Sequence, residues 1–388
     1  MDMEKTNVSA MLKKYTMIIA LIVVTLFFTW RTGGSMLLPQ NINNLIAQNA
    51  YVFILATGML LCILTGGNID LSIGSVVCFV GAIGGTLMVN KDVSPGIAMI
   101  AMLVVGILIG VWQGFWIAYV RIPPFIVTLA GMFIFRGLSN VVLNGLTVAP
   151  MPEEYLALFN NYIIDFFHGS TINITCLLVG VLATLIFLFS AIAGRRKRVK
   201  NGYAVKSLTG FVVKNILVSA VILVFMWRLA QYKGIPNVLI WVVLIVMIYA
   251  YITSKTTVGR HFYAVGGNEK ATQLSGINTN RVYFLAYANM GMLAAVAAMV
   301  TIARLNSANP TAGTNYEMDA IGSCFIGGAS AYGGTGTVPG VIVGATLMGV
   351  INLGMSIMGV DANWQKVVKG SVLLAAVIFD VVSKKRAK

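Results

Sequence analysis

The chain has 388 residues, of which 58% are hydrophobic and only 10% charged, with a mean hydropathy of +0.86. A soluble domain carries about a quarter charged residues, so a soluble fold is excluded and most of the chain belongs in a bilayer. The net charge of +15 would suggest nucleic acid in a soluble protein. Here the basic residues gather in a few loops between apolar runs, the pattern of membrane topology rather than of a nucleic-acid surface.

Apolar segments long enough to cross about 30 Å of hydrocarbon, roughly 20 helical residues, recur from Tyr15 to Val382. They predict an all-α, polytopic bundle of about 10–12 spans in a single transmembrane domain, residues 1–388, with spans near 15–30, 42–64, 69–89, 95–118, 122–143, 172–193, 211–229, 236–254, 282–304, 317–333, 338–358 and 364–382. The first follows Lys13 and Lys14 with no A-x-A site before Arg31, and reads as a retained span rather than a cleaved leader. With the N-terminus inside, the cytoplasmic loops collect Lys5, Lys13 and Lys14, then Arg121, then Arg195 to Lys200 with Lys206, then Lys255, Arg260, Lys270 and Arg281, and finally Lys384, Lys385, Arg386 and Lys388. The loop from Asn144 to Thr171 has no Lys or Arg but carries Glu153, Glu154 and Asp165, which places it outside. Both termini are expected in the cytoplasm, and membrane lipids are expected to meet the basic run at Arg195.

Glycines within the spans, such as Gly106, Gly110 and Gly114 or Gly340 and Gly344, let helix backbones approach closely, because packing holds helices together in lipid. Cys62, Cys78, Cys176 and Cys324 all fall in apolar stretches and read as small buried side chains. His168 and His261 lie on opposite sides, so no metal cluster is expected. Gly266-Gly267 and Gly333-Gly334-Thr-Gly336 lack the G-x-x-x-x-G-K-[ST] arrangement that cradles phosphate. The chain is therefore read as no enzyme, with no catalytic residue and no cofactor.

Asp70-Leu-Ser-Ile-Gly-Ser75 and Asp319-Ala-Ile-Gly-Ser323 each open a short Gly-rich span followed by two further spans. Residues 69–143 and 317–382 are thus candidate repeats, and the topology makes them inverted, a recurring plan in transporters. The pair 172–229 between them reads as an insertion. Leu64-Thr-Gly-Gly-Asn-Ile-Asp70 breaks two apolar runs, and a carboxylate there is tolerated only against protein or a water-filled cavity. Asn68, Asp70, Ser72, Ser75, Asp319 and Ser323 are accordingly candidates to line a translocation pathway; the plainer alternative is a hairpin in which Asp70 and Ser72 cap the next helix. Arg136, well inside its span, must pair within the bundle or snorkel outward.

The segment 255–281 is the longest cytoplasmic loop. Asn268 is a good N-cap and Gly276 a natural stop, so 269–275 is expected to form a two-turn helix with Ala271 and Leu274 as its apolar positions and Ile277 just beyond. So short a helix needs a surface to pack on, its own bundle or a partner.

Leu64 to Ser75, Pro123 to Ala130 with Arg136-Gly137, Gly259 to Glu269 continuing to Ile277, Ala303-Arg-Leu305, Ala308 to Thr314, Tyr316 to Ile321 and Lys369-Gly370 together resemble the permease subunits of the ribose, xylose and galactose class of ABC importers. The likeness spans nearly the whole chain outside about 150–235. It implies a bundle of the type II importer kind in the bacterial inner membrane, paired with a second permease subunit, an ABC ATPase and a periplasmic sugar-binding protein, and translocating a monosaccharide, pentose or hexose. It further implies that Gly259, Arg260, Tyr263, Gly266, Gly267, Asn268, Glu269, Ala271, Leu274, Ser275, Gly276 and Ile277 form the ATPase-coupling segment. The presence of 172–229 resembles the longer, xylose or multiple-sugar branch. A permease for branched-chain amino acids and an ion-coupled secondary transporter are the alternatives.

Overall fold

The computed structural model describes residues 8–169, 172–205 and 207–385, with side chains over 16–382 of these. The assignments resting on Lys5, Lys206, Arg386 and Lys388, and on the side chains of Lys13, Lys14, Lys384 and Lys385, lie outside the described residues. The elements are α1 (Val8–Arg31), α2 (Pro39–Leu64), α3 (Ile73–Gly85), α4 (Pro95–Ala118), α5 (Pro124–Leu143), α6 (Glu153–Phe159), α7 (Ile174–Lys200), α8 (Leu208–Ala230), α9 (Asn237–Lys255), α10 (Thr257–Gly267), α11 (Glu269–Leu274), α12 (Thr279–Leu305), α13 (Tyr316–Ile326), α14 (Val338–Ile357) and α15 (Ala362–Lys385). Proline at the first turn opens α4, α5 and α14, where its missing N–H costs nothing. Asn144 and Asn306 close α5 and α12 in the left-handed region.

Among the described residues nine helices are long and apolar enough to cross a membrane, and α1 adds a shorter apolar stretch, Thr16–Arg31. The expected span 317–333 needs correction. Its helix, α13, has 11 residues, about 16 Å at 1.5 Å per residue and so half the hydrocarbon thickness. Gly327 and a left-handed Gly328 stop it, and residues 327–337 follow as a loop. The span expected from 69 likewise becomes helical only at Ile73. α15 occupies the expected last span but carries Lys366, Lys369 and Asp380, and is not among the nine.

Two compact units divide the chain: Met1–Met36 with Leu45–Asn160 and Val238–Lys388, and Leu37–Asn44 with Asn161–Asn237. In the first, α2 runs through the middle, with residues 52, 54–56, 59, 60 and 62–64 fully enclosed. α4 and α12 make the closest pair. A Cβ on Gly110 would lie 2.5 Å from the Tyr287 carbonyl oxygen, and one on Gly291 would lie 2.3 Å from that of Gly106. These helices meet backbone to backbone, so dispersion contacts that lipid cannot supply hold them together. All four cysteines are buried and unpaired.

The second unit is a hairpin of α7 and α8. The Cys176 thiol donates to the Met226 carbonyl at 3.4 Å, and Gly180 packs under the Met226 side chain. Asn173 caps α7 through the N–H of Cys176, while the Asp165 carboxylate accepts from the N–H groups of Gly169, Ile174 and Thr175.

The α4–α12 contact can be tested by overpacking. Gly291→Val places two methyl groups against backbone that cannot yield, which should cost about 1–3 kcal/mol or more and lower the thermal midpoint of the detergent-solubilised protein. Gly137→Ala, where nothing lies within 4 Å of the added Cβ, should stay within about 0.5 kcal/mol of the parent.

Candidate functional site

Two regions of the first unit combine polar chemistry with unusual backbone: a platform built from α10 and α11, and the place where α3 and α13 begin.

In the platform, Thr256 caps α10 through the N–H of Gly259, and Asn268 caps α11 through the N–H of Ala271 at 3.0 Å. Residues 269–274 form the helix expected over 269–275. The 11-residue α10 before it was not foreseen; Phe262 and Val265, three apart on one face and buried, are the periodic signal for it. α11 is fastened to the bundle by one residue the sequence reading treated only as a topology marker. Arg121, in the turn between α4 and α5, donates to Glu269 Oε1 at 2.8 Å and to Thr279 Oγ1 at 3.2 Å, bonds Asn280 Oδ1, and lies over the Tyr283 ring. Tyr283 Oη donates to the other Glu269 oxygen at 3.1 Å. Burial alone would raise the Glu269 pKa; the hydrogen bonds and charge of Arg121, with the Tyr283 hydroxyl, outweigh it and hold the carboxyl below the ordinary glutamate range.

The coupling candidates divide by direction. Tyr263, Gly259, Gly266 and Glu269 face the bundle, and Ile277 is half-buried; Arg260, Gly267, Asn268, Ala271, Ser275 and Gly276 are exposed. Leu274 is 90% exposed, on a helix held from the other side by Thr272, which is buried.

Behind the platform three loops touch through glycine. The Leu64 carbonyl accepts from the N–H of Gly334 at 3.0 Å. A Cβ on Gly266 would lie 1.8 Å from that same carbonyl oxygen and 2.4 Å from the Gly334 nitrogen; one on Gly67 would lie 2.0 Å from the Ala331 oxygen. Tyr263 Oη adds a bond to the Gly336 carbonyl at 2.8 Å. The end of α10 thus sits in backbone contact with both the turn that leads into α3 and the loop that leaves α13.

α3 and α13 start against each other. A Cβ on Gly74 would lie 2.2 Å from the Gly313 oxygen, and one on Gly313 the same distance from the Gly74 oxygen. Next to this contact lie two buried carboxylates with different partners. Asp70 Oδ1 accepts from the Ser72 N–H at 2.8 Å and from Ser72 Oγ at 2.6 Å, and Gln113 Nε2 donates to that hydroxyl at 2.6 Å. Ser72 stands at the N-cap of α3 without capping it, because its hydroxyl is spent on Asp70. Asp319 Oδ2 accepts from Tyr51 Oη at 2.6 Å, and Lys369 Nζ lies 3.0 Å from Oδ1. Ser323 Oγ bonds the Asp319 carbonyl, Ser75 is buried, and Asn68, half-buried, bonds Thr65. Arg136 finds its partners in the carbonyls of Pro310 and Ala312, at 3.1 and 2.7 Å.

The Tyr51 ring stacks on Tyr316 with centroids 3.5 Å apart. Both line a cavity of about 390 Å³ with Gln48, Thr301, Arg304 and Ser356. Gln113 and Tyr51 were not singled out from the sequence, and Lys369 entered only through the Lys369-Gly370 match, with no role assigned. For Lys369 a signal existed, since a lysine inside an expected span calls for a buried counter-charge.

A family model described as branched-chain amino acid transport system / permease component matches residues 41–377. The chain belongs to this permease family. It is 36% identical over 376 residues to the xylose transport system permease protein of Escherichia coli (strain K12), covering 97% of this chain and 93% of the relative. The xylose transport system permease protein of Haemophilus influenzae is 36% identical over 378 residues, 97% and 98% of the two chains. The ribose import permease protein of E. coli (strain K12) is 34% identical over 343 residues, 88% and 85% of the two. No solved structure matches the permease.

Two outcomes follow from these contacts. Arg121→Ala should speed amide exchange in α11 several-fold relative to Lys270→Ala; the clasp is partly exposed, so about 0.5–1 kcal/mol is its scale. Because the folded Glu269 pKa is depressed, this protection should be full above the unfolded glutamate value and fade as pH falls through the folded one, so parent and variant converge in acid. Lys369→Met leaves Asp319 buried without its cation and should destabilise by about 3–5 kcal/mol, whereas Lys369→Met with Asp319→Leu should recover much of the lost thermal midpoint.

Proposed function

We propose that this permease carries a pentose across the bacterial inner membrane as one subunit of an ABC importer. A separate ATPase would dock on α11, a periplasmic binding protein would deliver the sugar, and a second copy of the chain would complete the transmembrane part. The observation that carries this reading is Leu274. Burying a leucine side chain is worth about 1.5–3 kcal/mol, yet this one stands 90% exposed on a capped and clasped helix, which suits a partner's apolar pocket. Behind it the glycine contact offers a route by which partner motion reaches the starts of α3 and α13.

In this reading the positive-inside assignment holds, both termini and the α10–α11 platform are cytoplasmic, and 69–143 and 317–382 are inverted repeats. Sugar would enter beside Tyr51 and Tyr316, whose ring faces and neighbouring Gln48 and Arg304 suit a polyhydroxylated ring, and pass the half-helix starts where Asn68, Asp70, Ser72, Ser75, Asp319 and Ser323 lie. The xylose permeases, matched over 97% of this chain, favour a pentose cargo. The description of the family model gives branched-chain amino acids as the second reading.

Reconstitution decides between them. Proteoliposomes holding the permease, its ATPase and its binding protein should take up xylose or ribose only with ATP, and leucine should not compete; uptake by the permease alone on a proton or sodium gradient would sink the reading. Leu274→Asp should cut sugar-stimulated ATP hydrolysis about tenfold or more, the scale of an interface anchor, while Leu274→Met retains most of it and both variants insert normally.

A further inference from the structure

The α7–α8 hairpin lies outside the two regions described above, yet it holds the densest positive charge in the chain. α7 ends in Arg195, Arg196, Lys197, Arg198 and Lys200, and Lys214 stands near the start of α8. Between the helices is a cavity of about 380 Å³ lined by Arg195, Arg198, Lys214 and Asn215, with Phe187 and Phe211 as apolar walls. Among the described residues no carboxylate lines it. The one acidic residue in the sequence of this unit, Asp165, is bonded at the far end of the hairpin to Gly169, Ile174 and Thr175.

Two features mark the cavity as built for an anion. The Arg195 guanidinium lies 4.8 Å from the Phe211 ring centroid, which sets its plane at the cavity edge. Asn215 is only 7% exposed although it is polar, and it lines the same space. Three cations around one cavity repel one another, and an anion with several oxygens relieves that repulsion while accepting bidentate bonds from arginine.

Beyond the cavity the outward faces of the hairpin are apolar, with Ile186 at 68%, Phe189 at 76%, Val213 at 51% and Leu217 at 62% exposure. An anion that carries its own hydrocarbon chains satisfies both surfaces together. We infer that the space between α7 and α8 is a binding site for the phosphate headgroup of an anionic phospholipid, its acyl chains lying along the two helices.

Native mass spectrometry of the full-length protein in neutral detergent tests this with phosphatidylglycerol and phosphatidylcholine of identical chains. The parent should retain phosphatidylglycerol about tenfold or more over phosphatidylcholine, the scale expected for three converging charges. Arg195→Gln/Arg198→Gln/Lys214→Gln should lose that preference, and Arg196→Gln/Lys197→Gln/Lys200→Gln, with the same change in charge but no residue in the cavity, should keep it. Equal loss in both triple variants, or no preference in the parent, overturns the site. Displacement of the lipid by millimolar glycerol phosphate or inorganic phosphate would show a free-phosphate site and also overturn it. If the cavity triple does not fold, Phe211→Trp in a chain whose six native tryptophans are replaced by Phe gives the same answer: its fluorescence should be quenched more by brominated phosphatidylglycerol than by brominated phosphatidylcholine, and equal quenching refutes the proposal.

Discussion

The arrangement depends on a contact between backbones. Leu64, Gly266 and Gly334 belong to segments separated by about two hundred and about seventy residues, and they meet so closely that a single added methyl group would overlap main-chain atoms. Side chains can change rotamer and absorb a displacement; a carbonyl pressed against a neighbouring N–H cannot. Such a contact leaves little free space between the end of α10, the turn before α3 and the loop after α13, and the Tyr263 bond to Gly336 ties the same parts a second time. Arg121 extends this stiffness outward by holding α11 at its first residue.

The half-length of α13 and the late start of α3 follow from the same economy. Backbone that leaves a helix inside a membrane protein must find partners in protein. Here the turn before α3 and the loop after α13 abut through Gly67 and Ala331, while the two helix starts meet at Gly74 and Gly313, and the carboxylates at those starts are answered in two ways. Asp319 has a full counter-charge in Lys369 and a phenol from Tyr51, while Asp70 has hydroxyl, N–H and, through Ser72, the amide of Gln113. The first solution joins α2, α13 and α15 by charge, and the second joins α4 to the start of α3 by neutral donors. A conformational change that separates either set exposes a buried carboxylate, which sets a discrete cost between states rather than a gradual one.

The α7–α8 hairpin obeys different constraints. Its exposed surfaces are apolar and its charge is concentrated at one end, whereas the platform exposes one leucine and makes several polar bonds to the bundle. The division agrees with composition: the unit around α10 and α11 mixes Arg121, Glu269 and Lys270, while the hairpin has cations almost alone.

Hydropathy and charge placement sufficed for the helical class, the membrane and the approximate spans, because transfer of apolar helices is a property of each segment by itself. Capping chemistry placed α11 for the same reason, since Asn268 bonds within its own turn. The matching segments also carried the family. What the linear pattern could not contain was the meeting of distant residues: that Arg121 clasps Glu269, that Lys369 answers Asp319, that Arg136 bonds the carbonyls of Pro310 and Ala312, and that 317–333 is half a helix followed by a loop. Local signals at these places were ambiguous, a glycine being equally fit for packing or for a turn and a lysine for lipid or for a counter-ion. Tertiary packing resolved them, because buried charges and closely approaching backbones are tolerated only where the rest of the chain brings the partner.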